Sequence, residues 1–517
     1  MKPISRYFLA ALGGIILSLA YPNFGVAGLG WIGPGIILFS GYGAGGKLAF
    51  RFAFCGGLTH FAISLCWLLA IPYTFYGVPL APGLGWLALS AYCGLYVAVW
   101  GWFCWKIFPG MGRTLWALSC AAAWVGLEVW RGWFLSGFPW NFLGASQFRM
   151  LPVIQIASFT GIYGVSFLMV WLSVSLGLLV LARTRQSIWT TAGLPLIAVV
   201  IIGAWGATQT ATIAPAAREL KVALVQPSFP QTLIWDPNGD AARFEQVMAL
   251  SRQALAAEPD MLIWPESGAP DMTPENQAAL GRLLSQHKAS MVFCVDSTGT
   301  TPDGKEAVYN SSLLLDATGR VQGIYHKRRL VMFGEYVPLL RWLPFLKFLA
   351  PIGSGFTPGR DAVQFETSAP RAKTSVLICF EDVFPGEARA HVAADTDFLI
   401  NLTNDGWFGK GAAQWQQTAG AVFRAVENNL PLVRCSNNGV TCWIDGKGRL
   451  REVLQTPDKI YGAGVMSATL PLQGDRRVPT FYNRHGDCFA WGCAGVAALA
   501  FLRARRRNTE ENLSVPR

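Results

Sequence analysis

The sequence predicts an α/β protein in two parts: a multi-span α-helical membrane domain of about eight spans and an external globular domain of sheets covered by helices. Three observations predict it. Only 14% of the 517 residues are charged and 52% are hydrophobic, with a mean hydropathy of +0.34, whereas soluble domains carry about 25% charged residues. The deficit is uneven, because residues 1–218 hold a single acidic residue, Glu128. From Glu219 the chain turns mixed and charged, until a last apolar run begins near Cys488.

A span needs about 20 predominantly apolar residues. The segments that read as spans are 7–24, 29–42, 52–71, 84–108, 115–134, 162–181, 188–205 and 488–502, of which 29–42 is short and holds Pro34. Lys and Arg mark the cytoplasmic loops. Lys2 and Arg6, Lys47 and Arg51, Lys106 and Arg113, Arg183 and Arg185, and the cluster Arg503, Arg505, Arg506 and Arg507 then all fall on one side. Arg131 and Arg149 fall on the other. The expected division is a membrane domain over 1–212, a catalytic domain over 213–486, a final span over 487–507 and a cytoplasmic tail over 508–517. The catalytic domain is expected outside the cytoplasm.

This pattern accounts for much of the net charge of +11 without a nucleic-acid partner. The further spans make the first apolar run a retained helix and not a cleaved signal. None of the 11 cysteines has C-x-x-C spacing, so no zinc or redox motif is read. Cys294, Cys435 and Cys442 are open to pairing in an oxidising compartment, and the sequence does not choose.

Within the globular part, strands are expected at 220–225, 261–264, 291–295, 308–315, 320–325, 374–378, 398–402, 432–434 and 440–444. Helices are expected at 241–257, 275–287, 385–394 and 415–427. Alternating strands and helices with hairpins give layered sheets under helices. Functional groups in such sheets gather beyond the carboxyl ends of strands. Glu266, Cys379 and the pair Asn404-Asp405 all fall at such ends, and Lys327 closes another strand.

A thiol, a carboxylate and an amine so placed make a nucleophile, its base and an oxyanion partner. The thiolate is the attacking species; Glu266 can take the proton, and Lys327 can stabilise developing negative charge. Taken singly, Cys379 reads more readily as a core thiol, Glu266 as a helix cap and Lys327 as a solvated charge. Their shared placement at strand ends favours catalysis.

Trp264-Pro265-Glu266, Tyr325-His326-Lys327 and Ile378-Cys379-Phe380-Glu381 resemble the three catalytic signatures of the nitrilase (carbon–nitrogen hydrolase) superfamily. Ser136-Gly137-Phe138-Pro139-Trp140, the run from Leu330 to Pro338, Asn404-Asp405-Gly406-Trp407-Phe408-Gly409 and Ser436-Asn437-Asn438-Gly439 resemble segments of the apolipoprotein N-acyltransferase family. The resemblance implies a nitrilase-like α-β-β-α sandwich on a bacterial inner-membrane protein, with the catalytic domain in the periplasm. It implies Glu266, Lys327 and Cys379 as the catalytic triad, Glu335 as a second essential carboxylate and Glu381 as a supporting one. Trp235 and Trp407 match substrate-contacting tryptophans. Phe380 stands where a Tyr is common, and Met332 where a Pro is. The implied reaction moves an acyl chain from a phospholipid, through a cysteine thioester, to the N-terminal amine of a diacylglyceryl apolipoprotein, with no metal or other cofactor.

Two rivals use the same sequence differently. A membrane-anchored amidase needs only one span as its anchor. A non-enzymatic receptor or transporter has no use for an intact triad. Glu128 is an intramembrane carboxylate, functional by default, and Arg131, about one turn on, is a ready partner. The apolar run 339–356 is expected as a membrane-facing arm following Glu335, and Tyr73, Phe75, Tyr76, Trp133, Phe138 and Trp140 as an interfacial belt. His326 and His485 lack metal-ligand spacing.

Overall fold

A computed structural model describes residues 2–71, 80–182, 188–211, 216–234, 236–301, 303–340, 342–344, 355–368, 370–474 and 477–513. The chain forms two compact units. One comprises residues 1–69, 83–212 and 481–517, and the other 70–82 and 213–480.

The first unit is helical: α1 Pro3–Leu19, α2 Gly33–Ser40, α3 Gly46–Ser64, α4 Ala81–Ile107, α5 Arg113–Arg131, α6 Ile162–Ala182, α7 Leu194–Ala211 and a C-terminal helix Cys488–Leu513. A helix overlaps every segment read as a span. Among the described residues four stretches are long and apolar enough to cross a membrane: Pro82–Ile107, Ile162–Val180, Thr191–Ala211 and Cys488–Arg507. The others are shorter or less apolar, so length and composition alone do not carry the expected count. Glycines set the closest approach: a Cβ on Gly14 of α1 would lie 2.3 Å from the carbonyl oxygen of Gly56 on α3.

Glu128 and Arg131, both buried on α5, correct one expectation. Among the described residues they form no ion pair with each other. The Leu143 N–H and the Trp124 indole N–H donate to Glu128 at 2.7 and 2.9 Å. Arg131 donates to the carbonyls of Phe138 and Trp140 at 3.0 and 2.9 Å, and its guanidinium lies over the rings of Phe61 and Phe142. Each charge pins the irregular segment after α5, where Leu135, Ser136 and Asn141 have positive φ. The stretch has no helical ladder of its own, and buried backbone groups must be paired.

The second unit holds two six-stranded sheets, ordered β12-β1-β2-β3-β4-β5 and β11-β10-β9-β8-β7-β6. The strands of the first are β1 Arg218–Gln226, β2 Met261–Ile263, β3 Ser290–Thr300, β4 Glu306–Leu315, β5 Val321–His326 and β12 Gly464–Leu472. Those of the second are β6 Gln364–Ser368, β7 Arg371–Ile378, β8 Phe398–Thr403, β9 Leu432–Ser436, β10 Cys442–Ile444 and β11 Leu450–Val453. In each sheet three central strands run parallel (β1, β2 and β3; β7, β8 and β9) and antiparallel strands flank them. The shared core joins Leu224, Ile263 and Val292 of one sheet to Val376, Ile400 and Val433 of the other. Helices α8 Asp240–Leu255 and α9 Pro274–His287 cover the outer face of the first sheet. Helix α10 Ala413–Asn428 packs on β9 and on the turn after β7. This is the expected α-β-β-α sandwich.

Strands β6, β11 and β12 lie outside the sequence expectations. β12 is an edge strand, and its Pro471 is tolerated there because an edge leaves one row of N–H groups unpaired. Cys294, Cys435 and Cys442 are buried free thiols.

Replacing Glu128 by Leu leaves two buried donors without an acceptor, a loss of about 1–3 kcal/mol per group. Thermal unfolding in detergent should show a lower midpoint for Glu128→Leu than for wild type, with Glu128→Gln between them. Equal midpoints for all three would remove the pinning role.

Candidate active site

The end-to-end parallel strands bring one residue after another to the same edge of the sandwich. Cys379 follows β7 directly, Glu266 lies just past β2, Lys327 follows β5 and Asn404 follows β8. Helix α10 and the turn Cys379–Val383 leave Cys379 partly exposed with φ +55°, in the left-handed region. A non-glycine residue there is strained. Two side-chain amides hold its carbonyl, Asn401 Nδ2 at 2.9 Å and Gln417 Nε2 at 3.0 Å.

Lys327 is 1% exposed. Its Nζ donates to Glu335 Oε1 at 2.7 Å and to Glu266 Oε1 at 3.2 Å. Asn310 Nδ2 bridges the same two carboxylates, at 2.9 Å from Glu266 Oε1 and 3.2 Å from Glu335 Oε1. The other oxygens take backbone donors: Asn404 N–H reaches Glu266 Oε2 at 3.1 Å and Val331 N–H reaches Glu335 Oε2 at 2.8 Å. Glu266, Lys327 and Glu335 are therefore brought together, and Cys379 lines the same cavity.

Burial pulls the Lys327 ammonium down, but Glu266 and Glu335 outweigh it and hold the group well above the ordinary lysine value. The thiol of Cys379 is pushed well up, first by burial and then by Glu266, with Lys327 opposing. The resting thiol is thus held in its protonated form. Asp296, facing the same cavity, is pushed up to about 6 by burial and then by Glu266 and Glu335.

The remaining expected residues divide. Glu381 is fully buried and works as a clamp. Its oxygens accept from the N–H groups of Arg328, Arg329 and Ile378 at 2.8, 3.0 and 2.7 Å, and from the Tyr325 hydroxyl at 2.9 Å. It ties the residues after Lys327 to the nucleophile turn. Phe380 presents its ring to Lys327 Nζ at 6.0 Å from the centroid, a cation–π contact that needs no tyrosine hydroxyl. Trp407 lines the cavity with Cys379. Trp235 lies outside the described residues. His326 stacks on Tyr309 and bonds to Ser311 at 2.7 Å, a structural role.

The sequence reading missed Asn310, Asn401, Gln417 and Arg434. Arg434 is wholly buried and binds Asp382, Asp405 and Asn401 at 2.7–2.9 Å. Its position in the middle of an otherwise apolar strand was the available signal, as was the polar run Asn310-Ser311-Ser312 inside β4.

A family model described as the apolipoprotein N-acyltransferase N-terminal domain matches residues 13–175, and one described as carbon-nitrogen hydrolase matches 221–473. An apolipoprotein N-acyltransferase of Geobacter metallireducens is 36% identical over 520 residues, covering 98% of this chain and 96% of its own. The chain belongs to the apolipoprotein N-acyltransferase family. A member of that family from Vibrio cholerae is 31% identical, with 98% of each chain covered. A solved amidase of the nitrilase superfamily from Nesterenkonia is 17% identical and covers 50% of this chain and 94% of its own, at a TM-score of 0.37. That likeness is too low to add to the assignment.

The charges around Cys379 predict a separation of two effects in this family member. Glu266→Gln removes a negative charge that raises the thiol, so the pH midpoint for alkylation of Cys379 should fall, while Lys327→Met should raise it. Activity should nonetheless drop about 10²–10⁴-fold in Glu266→Gln through loss of the base. An unchanged alkylation midpoint in both variants would remove the electrostatic account.

Proposed function

We propose that this chain is an acyltransferase that moves an acyl chain from a membrane phospholipid, through a thioester on Cys379, to the N-terminal amine of a diacylglyceryl apolipoprotein. The observation that carries the reading is the thiol on a strained turn, in one cavity with a buried lysine held between two carboxylates.

In the first half-reaction the Cys379 sulfur attacks the ester carbonyl of the phospholipid as Glu266 takes the thiol proton. Lys327 stabilises the negative oxygen of the tetrahedral intermediate. Collapse expels the lysophospholipid alkoxide, which takes the proton from Glu266 and leaves the thioester. In the second half-reaction the acceptor amine attacks the thioester, again losing its proton to Glu266. Collapse breaks the C–S bond and forms the amide, and the departing sulfur takes the proton from Glu266 to restore the thiol. Glu335 fixes the Lys327 ammonium, and Glu381 fixes the turn that carries the sulfur.

The reading includes a membrane domain over residues 1–212, a periplasmic catalytic domain over 213–486, a final inner-membrane span over 487–507 and a cytoplasmic tail over 508–517. The arginine cluster after the last span supports that orientation. Leu339, Leu340, Trp342 and Leu343 follow Glu335 closely, and all are exposed, which supports contact with lipid by the start of the expected arm. Phe345 and Phe348, and the belt residues Tyr73, Phe75 and Tyr76, lie outside the described residues.

Purified protein incubated with labelled phospholipid should acquire one acyl adduct on Cys379, detected by mass spectrometry and released by hydroxylamine. Cys379→Ala should form no adduct and lose all turnover, and Cys379→Ser should lose nearly all. Appreciable turnover in Cys379→Ala would overturn the assignment. A tag inserted in the loop containing Asp303 should be accessible from the periplasm, and a reporter after Arg507 should read cytoplasmic.

A further inference from the structure

The cavity at Cys379 is larger than the catalytic groups need. It encloses about 670 Å³, within the range of sites that hold drug-sized ligands. One end is lined by Glu266, Lys327, Glu335, Asn310 and Cys379. Beyond them an apolar wall belongs to the outer face of the first sheet, and Asp271, Gln277 and Asp296 also line the cavity. Phe293 of β3 lies opposite Leu313 of β4 across the ladder. Leu315 shares the face of Leu313, because side chains alternate along a strand.

The roof is made by the chain that starts at Glu266. Ser267, with φ +59°, turns it, and Ala269 and Met272 carry it across the cavity to α9, whose Leu280 completes the apolar lining. The far end lies where α9 meets the β4–β5 hairpin, beside the exposed Val321. A Cβ on Gly319 would lie 2.8 Å from the Cα of Gly281. From Asn310, beside the carboxylates, to Leu315 the strand advances roughly 17 Å, comparable with a long fatty acyl chain.

Packing makes this limb conspicuous. Interiors are close-packed, and unfilled apolar volume is destabilising. Yet Val295, Leu313, Ala269 and Met272 are only partly buried along it. Along Leu280, Phe293, Leu313 and Leu315 the wall offers no polar partner, so a charged headgroup or a peptide laid there loses hydrogen bonds. A hydrocarbon chain loses none.

We propose that this limb, between α9 and strands β3 and β4, receives the acyl chain that is carried on Cys379. The inference rests on the acyl-transfer reading above and adds to it a place for the chain within the catalytic unit itself. The limb then sets which chain lengths react. Its length limits how many methylenes are buried, and each one seated in it adds to transition-state binding.

The test compares acyl-enzyme formation from palmitoyl and hexanoyl phospholipids in mixed detergent micelles, measured by mass spectrometry of Cys379. Leu313→Trp fills the limb and should lower the palmitoyl-to-hexanoyl rate ratio by about tenfold or more, because burial of methylenes is what the limb supplies. Leu313→Ala enlarges it and should raise the ratio for stearoyl over palmitoyl donors. Alkylation of Cys379 by iodoacetamide at the wild-type rate checks that each variant is folded; if Leu313→Trp fails this check, Leu313→Ala decides. Ratios unchanged in the folded variants would overturn the limb while leaving acyl transfer intact. No adduct on wild-type protein from either donor would overturn both.

Discussion

The site is organised by one buried charge. An ammonium taken out of water costs several kcal/mol unless it is paired and hydrogen-bonded, and Lys327 is almost completely enclosed. Two carboxylates compensate it, and each carboxylate needs its own donors. Those donors come from Asn310 on β4, from the backbone after β8 and from the backbone after Lys327 itself. Four separate stretches of chain are therefore bound to one positive group. Removing either carboxylate disturbs the fit of the others, so the contributions of these residues to activity will not add.

The same logic explains the residues that never touch the cavity. Cys379 sits in a backbone conformation that a side chain disfavours, and such strain persists only where the surroundings over-determine it. Glu381 clamps the turn from one side by accepting from Ile378 and from the chain after Lys327. Asn401 and Gln417 hold the Cys379 carbonyl from the other. Gln417 also donates to Asp382 at 3.0 Å, and Asp382 is paired with the buried Arg434. The thiol is thus presented by a polar network that runs into the second sheet, and the energy stored at the turn is balanced by contacts remote from the reacting atoms.

The sequence made the central residues legible because each ends an apolar strand, a placement that follows from strand periodicity and from where sheets expose their ends. The triad residues, Glu335 and Trp407 are found together at one cavity. Glu381 is found beside them as a clamp. The supporting amides were not legible. Asn310 and Gln417 sit in the middle of a strand and a helix, and their partners are set by tertiary packing across sequence separations of 44 and 38 residues. Local pattern carries no such information. Edge strand β12 was hidden for another reason: its only long pairing is with β1, at the far end of the unit's sequence. In the helical unit, reading Glu128 and Arg131 as a pair was reasonable from helical spacing. Both instead bind backbone, since the irregular segment after α5 offers unpaired groups that a helix does not.

The neutral resting thiol has a consequence for selectivity between acceptors. Glu266 and Glu335 already place two negative groups against one ammonium, so a free thiolate would add charge to a site that disfavours it. In the proposed reaction nucleophile and proton acceptor therefore act in one step, and the same holds in reverse when the thioester is opened. An incoming amine has to meet the thioester within reach of Glu266, or its attack yields an ammonium that is readily expelled again. Water meets the same requirement with a poorer nucleophile. In that reaction an amine delivered close to Cys379 is the better acceptor, and an acyl chain seated in the proposed limb would keep the thioester carbonyl fixed while the amine arrives.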